Sequence, residues 1–120
     1  MKNHVYLSDN KIIWIDVCGP QTEDSVRLMG KEVLALAAQL RSDHKKVYIL
    51  DNLKLMAETT SEARREVARL AKQIDFDRGA MVGSANPLMR HSTNLMLRAI
   101  GKSNLRYFAS FDAAELWLGA

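Results

Sequence analysis

The sequence has one cysteine, two prolines and six glycines, and it has no apolar run of the length a membrane needs. Cys18 alone cannot close an internal disulfide or build a cysteine zinc site, which fits a reducing compartment. No window approaches the ~18 uninterrupted apolar residues of a membrane-spanning helix, and no basic start leads into an apolar stretch of signal-peptide form. A soluble, cytoplasmic chain is therefore expected. Gly79, Gly83 and Gly101 do not fit the spacing of a phosphate-cradling loop, so a nucleotide enzyme has little support. His4, His44 and His91 form no metal-ligand pattern, and neither metal nor cofactor is expected. Aromatic residues are 7% of the chain and do not interleave with the basic ones. With a net charge of only +3, that argues against nucleic acid as a partner.

What is present is alternation. At 120 residues with 48% apolar content the chain suits one domain spanning 1–120. Val5–Ser8 and Lys11–Cys18 read as a β-hairpin around Asp9-Asn10, a turn pair that tolerates positive φ. Gly19-Pro20 then breaks the chain and Thr22 caps a helix ending near Arg41 to Asp43. Val26, Met29, Val33, Ala37 and Leu40 recur on it at helical spacing. Lys46–Asp51 is a short apolar run bounded by charge, the form of a central strand buried on both faces. A second helix places Ala63, Val67, Leu70 and Ile74 on one face. Arg64, Arg65, Arg69 and Lys72 lie on the others, a basic surface that is either plainly solvated or turned to an acidic partner, a phosphorylated partner or an anionic membrane surface.

Gly79–Gly83 reads as the next strand, and Asn86-Pro87 starts a third helix running towards Gly101. Leu105–Ser110 is the last strand, and Asp112 with Glu115 caps a short final helix. The fold class is α/β: a small mixed, mostly parallel sheet of about five strands with about four helices.

This order resembles the STAS family, the anti-sigma-factor antagonist-like domains, from about Val5 to Leu118. The resemblance is carried by Ile13-Trp-Ile-Asp-Val17, Tyr48-Ile-Leu-Asp-Asn-Leu53, the hydroxyl-rich segment entering a helix, and Leu105-Arg-Tyr-Phe-Ala-Ser-Phe-Asp-Ala-Ala-Glu-Leu-Trp-Leu118. It implies a non-enzymatic bacterial signalling module that docks a protein partner, an anti-sigma-like kinase or another signalling protein, with weak homo-oligomerisation left open. It also implies a phosphorylated serine in an Asp-Ser-Ser-Gly type turn. Here that segment reads Met56-Ala-Glu-Thr-Thr-Ser-Glu62, with the hydroxyls kept and the glycine missing.

Ser61, Thr60 and Thr59 are thus the candidate phosphoacceptors. A helix entrance suits phosphate through its unpaired N–H groups, but Thr59 and Glu62 also have capping-box spacing, which needs no regulatory role. Asp51, Glu58, Arg64, Arg65, Met89 and Leu97 are the candidate partner contacts; the last two lie on a second apolar stripe of the third helix, beside Arg90 and Arg98. Asp51 is read as accepting hydrogen bonds from the loop that follows it. It is not read as a receiver-type phosphoacceptor, because only Asp16 and Ser110 stand where such domains carry an acidic pair and a lysine. Cys18 is read as a packed thiol at a strand end. The alternative function is an apolar small-molecule or lipid site, with Met56, Met89 and Trp117 as lining residues.

Overall fold

The computed structural model describes residues 2–83, 94, 101 and 103–119. Strand β1 (His4–Leu7) pairs antiparallel with β2 (Ile12–Asp16), as expected of the hairpin. The left-handed residue of the turn is Lys11, at φ 67°, and not Asp9 or Asn10. The Lys11 N–H donates to the Ser8 carbonyl at 3.0 Å, closing the Asp9-Asn10 turn and leaving Lys11 to re-enter the ladder.

From β2 the main sheet grows by parallel pairing through β4 (Tyr48–Asn52), β6 (Arg78–Val82) and β7 (Leu105–Phe108), giving the order β1-β2-β4-β6-β7. Helices α1 (Glu23–Ser42) and α2 (Ser61–Gln73) pack together and cover one face, over Ile13, Ile15, Val47 and Ile49. Helix α3 (Phe111–Leu118) covers part of the other face, over Ile12, Leu50, Ala80 and Val82. Neighbouring residues of one strand thus feed two cores, because β-strand side chains alternate sides. Ile12, Ile13 and Leu50 are fully buried, each such side chain contributing roughly 1.5–3 kcal/mol of burial free energy. The expected third helix lies outside the described residues, apart from Asn94, which is helical.

Local sequence explains most of the ends. Thr22 caps α1 in a reciprocal box with Ser25. Val26, Val33, Ala37 and Leu40 are buried as their spacing requires, and Met29 partly so. The cap of α3 is Ser110, whose hydroxyl accepts from the Ala113 N–H at 3.2 Å, two residues before the expected Asp112. Helix α2 is turned relative to its apolar pattern: Val67 is 46% exposed and Glu66 is buried. Glu66 is held there by the Arg69 guanidinium, and the nearby charge of Arg27 on α1 also favours its ionised form.

Residues Gly19–Gln21 form strand β3, and Met56–Thr59 form β5, a parallel two-stranded sheet apart from the main one. Gly19, at φ 71°, makes the turn out of β2, and its N–H donates to the Leu55 carbonyl at 2.8 Å. Gln21 anchors this sheet from below. Its buried amide bonds Asn3, Ser25 and the carbonyls of Cys18 and Gly19. Cys18 is buried, with its thiol 3.7 Å from the Asp16 carbonyl.

Candidate functional site

The segment between the central strand and α2 is an extended, exposed arm. Leu55 and Met56 are 56% and 38% exposed, and Ala57 and Glu58 of β5 also face solvent. Strand β5 ends at Thr59 and α2 begins at Ser61, so the three hydroxyls sit in three different structural positions.

Thr60 is the N-cap. Its backbone is extended, at φ −74° and ψ 160°, and its hydroxyl accepts from the Ala63 N–H at 3.0 Å. The expected cap at Thr59 is therefore one residue early. Thr59 belongs to β5 and is gripped by Arg64, whose guanidinium donates to the Thr59 carbonyl at 2.9 Å and to its hydroxyl at 3.2 Å. Glu62, released from capping, lies 3.5 Å from Arg65 in an exposed pair, the kind that contributes at most about 1 kcal/mol. Ser61 is the first residue of the helix and is exposed. Among the described residues its hydroxyl has no hydrogen-bond partner.

The structure thus brings Glu58, Thr59, Thr60, Ser61, Arg64 and Arg65 to one strand-to-helix junction; Leu55 and Met56 are exposed on the arm before it, and Val67 further along α2. Asp51 stands apart in the main sheet, in a cross-strand row with Ile15 and Met81. Burial pushes its carboxyl up to about 7. The loop bond expected at Asp51 falls instead to Asn52, whose side-chain oxygen accepts from the Lys54 N–H at 3.2 Å and whose amide donates to Asp16 at 2.9 Å. Met89 and Leu97 lie outside the described residues. Trp117 packs on Phe108 and is flanked by Arg78 and Arg106. Neither it nor Met56 lines the cavities of about 300 and 330 Å³ found beside Asn94 and beside Cys18.

A mixed sheet of this strand order, with a helix entered through a hydroxyl cap beyond the central strand, can be compared with known families. The SpoIIAA-like family model matches residues 12–119. The chain belongs to the SpoIIAA-like family. Two solved structures share the SpoIIAA-like fold at low sequence identity. One is an uncharacterised protein of the DUF3478 family from Shewanella loihica PV-4, with 16% identity and a TM-score of 0.69; the match covers 97% of this chain and 91% of the other. The other is the anti-sigma factor antagonist SpoIIAA in its unphosphorylated form, with 10% identity and a TM-score of 0.57 over 95% of this chain and 94% of the other. No curated protein matches the sequence. Among the described residues of this SpoIIAA-like chain, no helix is long and apolar enough to cross a membrane.

Neither strand β5 nor the network around Gln21 was legible in the sequence. The only signal for β5 was the absence of turn residues between Lys54 and Thr59. For Gln21 it was a polar residue flanked by Pro20 and a helix cap, which is a weak cue for burial.

Proposed function

We propose that this SpoIIAA-like domain is a non-enzymatic regulatory module in the cytoplasm. It docks a signalling protein over β5 and the entrance of α2, and phosphorylation of Ser61 tunes that contact. The observation that supports this is the division of labour among the three hydroxyls. Thr60 is occupied in capping and Thr59 is held by Arg64, while Ser61 is exposed and unbonded at a helix N-terminus. A phosphate on Ser61 adds roughly −1.5 to −2 charge at the positive end of the helix dipole, where N–H groups stabilise it. The same charge would repel an acidic or apolar partner docked along β5 and the first turn of α2. Arg64 and Arg65 supply electrostatic steering, and Glu58 sets a sign preference along β5. Asp51 enters the contact only through the loop it precedes.

Phosphosite mapping of the chain recovered from its native cell, paired with binding measurements on Ser61→Asp, tests the proposal. Phosphate on Ser61 and a weakened partner complex are expected. An unmodified Ser61, with unchanged binding of the Asp variant, removes the switch.

A further inference from the structure

We propose that β1 is a self-association edge, through which two copies pair antiparallel about a two-fold axis at Tyr6 to form one continuous ten-stranded sheet. This goes beyond docking at the α2 entrance and uses none of its residues.

The two edges of the main sheet are treated differently. At β7 the outward backbone groups of Tyr107 are occupied by one side chain. The Asn94 amide accepts from the Tyr107 N–H at 2.9 Å and donates to its carbonyl at 3.4 Å, as a further strand would. At β1 nothing comparable occurs among the described residues. Ser8 donates to Ile12 of β2, so by alternation Tyr6 and His4 also bond inward, and the N–H and carbonyl groups of Val5 and Leu7 point outward. No proline or charged side chain interrupts His4–Leu7, although natural edges are commonly protected by such residues.

The occupant is a second copy because this edge is complementary to itself. A two-fold axis normal to the sheet keeps each side chain on its own face, so facing residues must share parity. Centring the axis on Tyr6 sets Val5 opposite Leu7 of the other copy, twice, with four backbone hydrogen bonds between them. Tyr6 then faces its own counterpart in a non-hydrogen-bonded pair, where side chains approach most closely. Tyr6 is 44% exposed and ends a ladder of rings: it stacks on Trp14 at 6.3 Å between centroids, and Trp14 on Phe111 at 5.6 Å. Pairing makes that ladder continuous across both copies. The register centred on Val5 instead sets Leu7 against Asn3 and Tyr6 against His4, which buries apolar side chains against polar ones.

Sedimentation equilibrium of the full chain tests the proposal. Wild type is expected to approach twice its 13.5 kDa chain mass, with a Kd on the order of 10 µM, in keeping with a small interface. Val5→Pro removes an outward N–H that the monomer does not use, and should raise Kd at least ~10-fold with circular dichroism unchanged. Tyr6→Lys sets two ammonium groups face to face across the axis and should also raise Kd at least ~10-fold, while Tyr6→Phe keeps the ring and should leave Kd within about threefold of wild type. The Tyr6 pair decides the matter even if the proline variant fails to fold. A wild type that stays monomeric at about 1 mM, or a dimer indifferent to Tyr6→Lys, overturns the proposal.

Discussion

Gly30 of α1 lies against Leu70 of α2 so closely that a Cβ on Gly30 would come within 2.6 Å of Leu70 Cδ1 and 2.7 Å of Cδ2. This contact sets the approach of the two helices that cover one face of the sheet, and with it the orientation of α2, whose first turn carries the candidate site. Gly30→Ala gains about 1 kcal/mol of helix propensity but overpacks a buried leucine, at a cost of roughly 1–3 kcal/mol. Urea unfolding should show a net loss of about 1 kcal/mol. Adding Leu70→Val should recover part of it, because the two changes share one space.

The caps and the candidate switch separate by stability. Thr60→Ala removes the acceptor for the Ala63 N–H and should cost about 1 kcal/mol. Ser61→Ala touches an exposed, unbonded hydroxyl and should stay within about 0.5 kcal/mol of wild type. Equal losses at both positions would mean that Ser61, and not Thr60 alone, holds the helix start.

Two carboxylates should give stability opposite pH dependences. Burial alone would raise the Asp77 carboxyl, but the Val47 N–H at 2.8 Å and Arg41 at 2.9 Å outweigh it and hold it below its ordinary value of 3.8. Its contribution is present above that value and is lost as pH falls through the lower folded value. Asp51 has the reverse sign. Its folded value is about 7 against an ordinary 3.8, so the native state holds the proton more tightly. The contribution is full below the ordinary value and is lost as pH rises through about 7. Denaturation midpoints across pH should show both slopes, and Asp77→Asn should remove the acid one.

Asp51→Asn should stabilise the fold at pH ~8 by roughly 1–3 kcal/mol, since it removes a charge that burial disfavours. It should also flatten the dependence between pH ~4 and ~7. A destabilised Asp51→Asn protein at pH ~8 would contradict a carboxyl whose ionised form burial disfavours.

The main sheet was legible because its strands announce themselves. Ile12-Ile-Trp-Ile and Val47-Tyr-Ile-Leu are dense in branched and aromatic residues, and each is bounded by charge or a turn. The family resemblance rested on these segments together with the hydroxyl-rich loop and Leu105–Leu118. Strands β3 and β5 were not legible, because Gly-Pro-Gln and Met-Ala-Glu-Thr have neither length nor alternation and are set by each other's backbone. The exchange of Val67 for Glu66 on the inner face of α2 was also hidden. It depends on the Gly30 contact and on Arg69 and Arg27, which are tertiary facts that a period of 3.6 residues does not carry. At the candidate site the sequence placed three hydroxyls at a helix entrance. It could not assign their roles, since shifting the cap from Thr59 to Thr60 changes which hydroxyl is left free.

The most direct measurement compares what immobilised wild type, Ser61→Ala and Ser61→Asp domains retain from a lysate of the native cell, quantified by mass spectrometry. A signalling protein is expected to be held by wild type and by Ser61→Ala, at least ~10-fold depleted on Ser61→Asp, and lost as well on Arg64→Glu. Retention of the same proteins in the same amounts on all four would contradict docking at the entrance of α2.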